Sequence, residues 1–194
     1  MSGLRERKKE RTREAIERAA LQLFIEHGYD ETTIDALCES VLVSRRTFFR
    51  YFTSKEDVAL SRAREDCALA AGELDRRPAT EPYRDSVHAV FASAGAIFAQ
   101  DPEGHLRHVR LLTTARALAG PYLDLLGGME LAVRRFLAQR TGRDQVDPRV
   151  RLAAAAAITA FRVAIEIWRD NAGEADLAAL AGEHWDALLT GVDL

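Results

Sequence analysis

The chain has 194 residues, 47% hydrophobic and 29% charged, enough to bury a sizeable core and to build one small domain beside a larger one. Its net charge of −3 is uneven: residues 1–55 hold eleven Lys and Arg against nine Asp and Glu, the remainder sixteen against twenty-one, so the basic end is the N-terminal one. The longest nearly apolar stretch, Leu152 to Phe161, stops at Arg162, too short to span a bilayer; the charged start is unlike a secretory signal and two cysteines are no disulfide scaffold, so a cytoplasmic protein is expected.

Five prolines and few alternating strand-like runs predict an all-α fold of about nine helices. The basic residues Arg5, Arg7, Lys8, Lys9, Arg11 and Arg13 either add salt-sensitive attraction to phosphates or form a solvated helix start paired with Glu6, Glu10 and Glu14. Further on, Thr32 or Thr33 can cap a helix, with Asp35 in the place of a capping-box acid three residues after Thr32. Ile34, Leu37, Cys38 and Val41 recur at helical spacing, giving that short helix one apolar face. Cys38 reads as a small core residue, and neither it nor Cys67 is expected to form a disulfide in a reducing compartment.

Ser44 is a natural N-cap for a second short helix in which Phe48 and Phe52, four apart, turn inward. Arg45, Arg46, Thr47, Phe49 and Arg50 are left on its other sides. Arginine forks bidentately onto guanine, a threonine hydroxyl reaches a phosphate or a base edge, and a helix N-terminus offers N–H donors to phosphate. Two short helices carrying this chemistry make physical sense as a helix-turn-helix that reads a DNA duplex.

On these residues the segment 8–58 resembles the N-terminal domain of the TetR family of bacterial transcriptional repressors. Lys8 to His27 matches that family's long first helix, Gly28-Tyr29 its closing turn, and Thr32-Thr33 the opening of helix 2. Val43-Ser44 matches the opening of the recognition helix, Thr47 to Phe52 the aromatic run, and Ser54 to Asp57 the start of helix 4. The resemblance implies that Arg45, Arg46 and Thr47 approach bases while Thr33, Phe49, Arg50 and Lys55 lie along phosphates; Thr32, Ser44 and Tyr51 complete the expected DNA-binding set. Two positions depart from the pattern. Leu42 stands where a turn glycine is usual, which puts a positive φ there in question, and Phe49 lacks the hydroxyl of the usual tyrosine, leaving it apolar contact with sugar or a thymine methyl.

The expected division is a DNA-binding domain over 1–55 and a helical ligand-binding and dimerisation domain over 56–194. Helix 4 is predicted over Ser54 to Leu74, with a loop where Arg76, Arg77, Pro78 and Pro82 break helicity. Helices follow over Asp85 to Gln100, His105 to Leu118 and Tyr122 to Thr141, punctuated by Asp101-Pro102 and Gly120-Pro121. Asp147-Pro148 opens a long helix reaching Asn171, and a last helix is predicted over Ala175 to Thr190. The penultimate helix is apolar around most of its circumference, interrupted by a charged stripe of Arg162, Glu166 and Arg169, and the last adds Leu177, Leu180, His184, Trp185, Leu188 and Val192. Such a helix needs burial on two sides, so a homodimer through a four-helix interface is expected, with Ala156, Ala160, Ala164, Ile167, Trp168, Leu177, Trp185 and Leu188 in it. A core role for Trp168 and Trp185 is the alternative. A two-fold dimer in turn implies an inverted-repeat operator.

The family resemblance also implies an effector pocket among helices 4 to 8. Candidate lining residues are His88, Phe91, Phe98, His108, Leu111, Tyr122, Met129 and Phe161, with plain core packing the favoured account of each taken singly. The segment from Val150 to Trp185 is similar to the C-terminal domains of actinobacterial regulators of the mycofactocin-locus group, some of which sense acyl-CoA thioesters, which implies a small hydrophobic or acyl-type effector. No catalytic function, metal or cofactor is expected. His105 and His108 lack further ligands at a recognisable spacing, and no repeated Glu-x-x-His, phosphate loop or nucleophile elbow occurs. A dimeric DNA binder without an effector is the remaining alternative.

Overall fold

A computed structural model describes residues 2–191, and their side chains from residue 6 on; Val192 and the side chain of Arg5 lie outside the described residues. The described residues form nine α-helices: α1 (Ser2–His27), α2 (Ile34–Ser40), α3 (Arg45–Phe48), α4 (Lys55–Arg76), α5 (Tyr83–Gln100), α6 (Pro102–Thr114), α7 (Ala119–Thr141), α8 (Pro148–Asp170) and α9 (Leu177–Thr190). A single 3-10 turn, Arg116–Leu118, separates α6 from α7, and no strand occurs among the described residues.

Local chemistry accounts for the boundaries. Gly28, at φ +87, closes α1 in the left-handed region. The Thr33 hydroxyl accepts from the Ala36 amide and caps α2. This settles which threonine is the cap and removes the capping box: Asp35 is then the second residue of α2, not the third after its cap. Ser44 caps α3 by accepting from the Thr47 amide, and α4 opens with Ser54 accepting from the Asp57 amide while Asp57 accepts from that of Thr53. Helix α6 starts at Pro102, three residues before the expected His105, because proline suits a first turn and Asp101 accepts from the Gly104 amide. For the same reason Gly120 and Pro121 sit inside the first turn of α7 instead of preceding it. Asp147 and Asp176 cap α8 and α9.

The chain divides into two compact units. One runs up to Ala63 and takes in Arg107–Tyr122; the other holds Arg64–Leu106 and the described residues from Leu123 on. In the first, Ile16, Phe24, Leu37, Phe48, Phe52 and Leu60 are all buried, so α1 and the two short helices share one core with the beginning of α4. Also in this unit, the His108 ring donates from Nε2 to the Ala59 carbonyl at 2.6 Å, tying α6 to α4. In the second, α9 packs against both α8 and α5. The approach to α5 is close: a Cβ on Gly95 would stand 2.8 Å from that of Ala178, and one on Gly182 would stand 2.8 Å from the His88 ring.

Candidate nucleic-acid interface

The α2–α3 segment buries its apolar residues and leaves its arginines in the open. Leu37, Cys38, Phe48 and Phe52 are buried, whereas Arg45, Arg46, Phe49 and Arg50 are exposed and Thr47 half-buried. Phe49 is 47% exposed and is steadied edge-on by Phe48, ring centroids 5.3 Å apart. The Arg50 guanidinium lies 5.0 Å over the Tyr51 ring and donates from Nη2 to the Tyr51 hydroxyl. Ser44 and Thr47 join hydroxyls at 3.0 Å. Arg45 donates from Nη1 to both carboxylate oxygens of Asp35, each at 2.9 Å. Burial pushes the Cys38 thiol above its ordinary range, in keeping with a core role.

The turn between α2 and α3 keeps the left-handed conformation without a glycine. Leu42 has φ +55 and is 94% exposed, its amide held by the Glu39 carbonyl at 3.2 Å. The doubt raised by the leucine is answered by geometry: the side chain meets nothing, so only the backbone carries strain.

Two expected DNA contacts turn out otherwise. Thr32 is buried at 3% exposure, its hydroxyl 2.8 Å from the Gly28 carbonyl and 3.2 Å from that of Leu23, so it holds the α1–α2 connection and faces no duplex. The Lys55 ammonium donates to the Tyr29, Asp30 and Thr32 carbonyls at 2.7, 3.3 and 3.0 Å and sits 4.3 Å over the Tyr29 ring. With three donors and three carbonyls, it clamps the 29–32 loop instead of reaching for a phosphate.

Of the residues expected around an effector, Phe91, Met129 and Phe161 meet at an apolar slot of about 20 Å³ bounded also by Leu74, Val87 and Val133. Phe91 and Phe161 stack there with centroids 6.0 Å apart. The others lie elsewhere. His88 faces Asp186 at 3.0 Å, and Phe98 stacks on His105 at 4.3 Å. His108, Leu111 and Tyr122 belong to the first unit. A wider groove of about 680 Å³, missed from sequence, runs along α4 and α7 past Leu74, Arg77, Arg135, Phe136 and Arg140.

The expected dimer residues also divide. Ala160, Ala164, Trp168, Leu177 and Trp185 are buried within the chain itself and are corrected to core; Ala156 and Ile167 are half-buried and Leu188 is exposed. The reason is that α9 packs on the small-residue side of α8, while Phe91 and Phe98 of α5 meet Phe161 and Trp168. What α8 leaves outward includes Leu152, Ala156, Thr159, Val163 and Ile167 at helical spacing, with the Arg162–Glu166 ion pair, 2.6 Å, beside them. Among the described residues no group of His, Cys, Asp and Glu is placed to hold a metal ion, and no helix is long and apolar enough to cross a membrane.

Known proteins agree with this anatomy. The family described as bacterial regulatory proteins, tetR family, matches residues 16–61, and the MftR C-terminal domain matches residues 81–193. The HTH-type transcriptional regulator TcmR of Streptomyces glaucescens is 38% identical over 96% of this chain and 85% of its own length. Among solved structures, Thermus thermophilus FadR, a TetR-family repressor in complex with lauroyl-CoA, is 22% identical with a TM-score of 0.63, covering 94% of this chain and 95% of that one. Bacillus subtilis FadR, in complex with stearoyl-CoA, is 20% identical with a TM-score of 0.64, covering 92% and 98%. These two share the fold. With an exposed arginine-bearing α3 on a buried aromatic footing, and both of its parts matched, the chain belongs to the TetR family of DNA-binding transcriptional regulators.

Proposed function

We propose that this regulator is a repressor that grips an inverted-repeat operator as a homodimer and lets go when a small amphipathic effector of the acyl-thioester class binds. The observation that carries the DNA half is the exposure of Arg45 and Arg46 on α3 and of Phe49 and Arg50 in the turn that follows it, over the buried Phe48 and Phe52. Two such helices related by a dyad address successive major grooves, roughly 34–36 Å apart. Support for the dimer is the outward stripe on α8 together with Leu180, His184 and Leu188 of α9, none of them buried.

Support for the effector comes from the two FadR proteins, whose structures hold lauroyl-CoA and stearoyl-CoA, and from the arginine-rimmed groove that shares Leu74 with the aromatic slot. An anionic head near Arg135, on a rim where Arg77 is paired with Glu73 and Glu81 and Arg140 holds loop carbonyls, and an apolar tail past Leu74 is the arrangement this chemistry favours. At about 20 Å³ the slot has room for no more than one water, so a fatty chain enters only by parting Phe91 from Phe161. Binding would therefore select a different shape of the protein, as release requires. The same tightness favours a second reading, a DNA-binding dimer without an effector.

Operators selected from random duplexes, followed by titration of medium- and long-chain acyl-CoA into the complex, test both. The expected results are an inverted repeat, a steep salt dependence and release by one chain-length class. Recovery of no dyad-symmetric site overturns the dimeric reading, and a complex indifferent to every acyl-CoA supports the effector-free one. In Arg46→Ala, discrimination at one base pair of each half-site should fall by about 1–3 kcal/mol with the dimer intact.

A further inference from the structure

We infer that Asp35 is a positioning residue for sequence readout: it holds the Arg45 guanidinium so that one donor edge is presented to a base. The inference rests on the proposal above that Arg45 approaches a base. Asp35 sits in the first turn of α2 and Arg45 at the first position of α3, ten residues apart, and the turn through Leu42 brings them together. Nη1 of Arg45 lies 2.9 Å from each carboxylate oxygen.

Three features of the pair point to readout over stability. Both side chains are more than half exposed, 59% for Arg45 and 58% for Asp35, and an ion pair so open to water contributes little to folding. A carboxylate on the face that meets a polyanion also repels it, so an acid here weakens general DNA affinity. What it supplies is orientation. Guanidinium is a planar fork of five donors; with Nη1 held on both oxygens of Asp35, the head group is anchored at one nitrogen and the Nε–Nη2 edge is not engaged by the carboxylate. That edge is a matched pair of N–H donors for the two acceptors of guanine in the major groove. Holding a long side chain in place before DNA arrives removes part of the ordering cost of the contact. Arg46, next in sequence and also exposed, has no comparable carboxylate partner among the described residues, so only Arg45 of the two is anchored in this way.

The test is a specificity measurement with four proteins: the full chain unchanged, Asp35→Asn, Arg45→Ala, and the two changes combined. Each is titrated against the selected operator and a set of duplexes with single base-pair changes, at two salt concentrations, with thermal unfolding as a folding control. Arg45→Ala should lower discrimination at one base pair of each half-site by roughly five- to a hundredfold. Asp35→Asn should lower discrimination at that same base pair by about three- to tenfold, while binding to unrelated duplex tightens because a negative charge has gone. In the combined variant Asp35→Asn should add nothing further at that position. If Arg45→Ala leaves discrimination unchanged, the base-reading role of Arg45 itself is gone. If Arg45→Ala acts but Asp35→Asn alters neither that position nor any other, or acts at a different base pair, the positioning role is overturned. Loss of affinity spread evenly over all duplexes, with a lowered melting temperature, would make Asp35 a purely structural residue and overturn it too.

Discussion

Leu42 and Lys55 show how far single residues in this head are committed to shape. A non-glycine residue in the left-handed region costs about 1–2 kcal/mol, and Leu42 has no packing to offset it, at 94% exposure. Leu42→Gly relieves that strain but gives the unfolded chain more freedom, so the expected net gain is about 0.5–1 kcal/mol, seen as a melting temperature higher by roughly 1–4 °C. A lower melting temperature would mean that the exposed leucine stabilises the turn in some other way. Lys55 teaches a related lesson. The family resemblance implied a phosphate ligand, yet the Lys55 ammonium closes a loop 23 to 26 residues away. Nothing local in the sequence announces carbonyls arriving from that distance, and the same holds for Asp35, whose position beside a possible cap concealed a partner on the next helix.

Between elements, the clearest device is the connection from α4 to α5. Arg77 bridges Glu73 at 3.2 Å and Glu81, Ser86 donates to Glu81 at 2.7 Å, and Arg140 of α7 donates to the Glu81 carbonyl at 2.8 Å. The Arg77 guanidinium beside Glu81, helped by the Ser86 hydroxyl, holds the Glu81 carboxyl down at about 2, from an ordinary value of 4.5. A carboxylate depressed in the folded state stabilises above its ordinary value and loses that contribution as pH falls toward the depressed one. Melting temperatures of the parent and of Glu81→Gln should therefore differ above about pH 4.5 and converge as pH falls toward 2. Curves that stay parallel to pH 2 would remove the latch. Helix type and order were legible because apolar spacing and capping residues act locally, as at Ser44, Asp147 and Gly28. The starts of α6 and α7 were not, since Pro102 and Pro121 are compatible both with interrupting a helix and with its first turn. The inner side of α8 was misread for a different reason: an alanine-rich surface can be closed by a neighbour in the same chain or by another copy, and spacing alone does not choose.

For the whole molecule, the outward stripe of α8 makes the dimer testable without disturbing the core. Val163 and Ile167 are half-buried and Leu152 is 72% exposed, so Val163→Glu should leave the melting temperature of the isolated chain nearly unchanged. It should shift the protein from dimer to monomer in light scattering and abolish high-affinity operator binding, because one head meets only a half-site. A dimer that survives the charge would move the interface elsewhere. The composition of the first compact unit has a practical consequence for anyone recombining this regulator with another. A chimera joined at residue 55 would transplant α1 to α3 but leave behind Ala59 and Leu60, together with the later segment 107–122 that supplies His108 to the Ala59 carbonyl. A transplant that carries both pieces keeps its own footing, whereas one cut at the helix-turn-helix boundary sets a borrowed reading head on foreign ground.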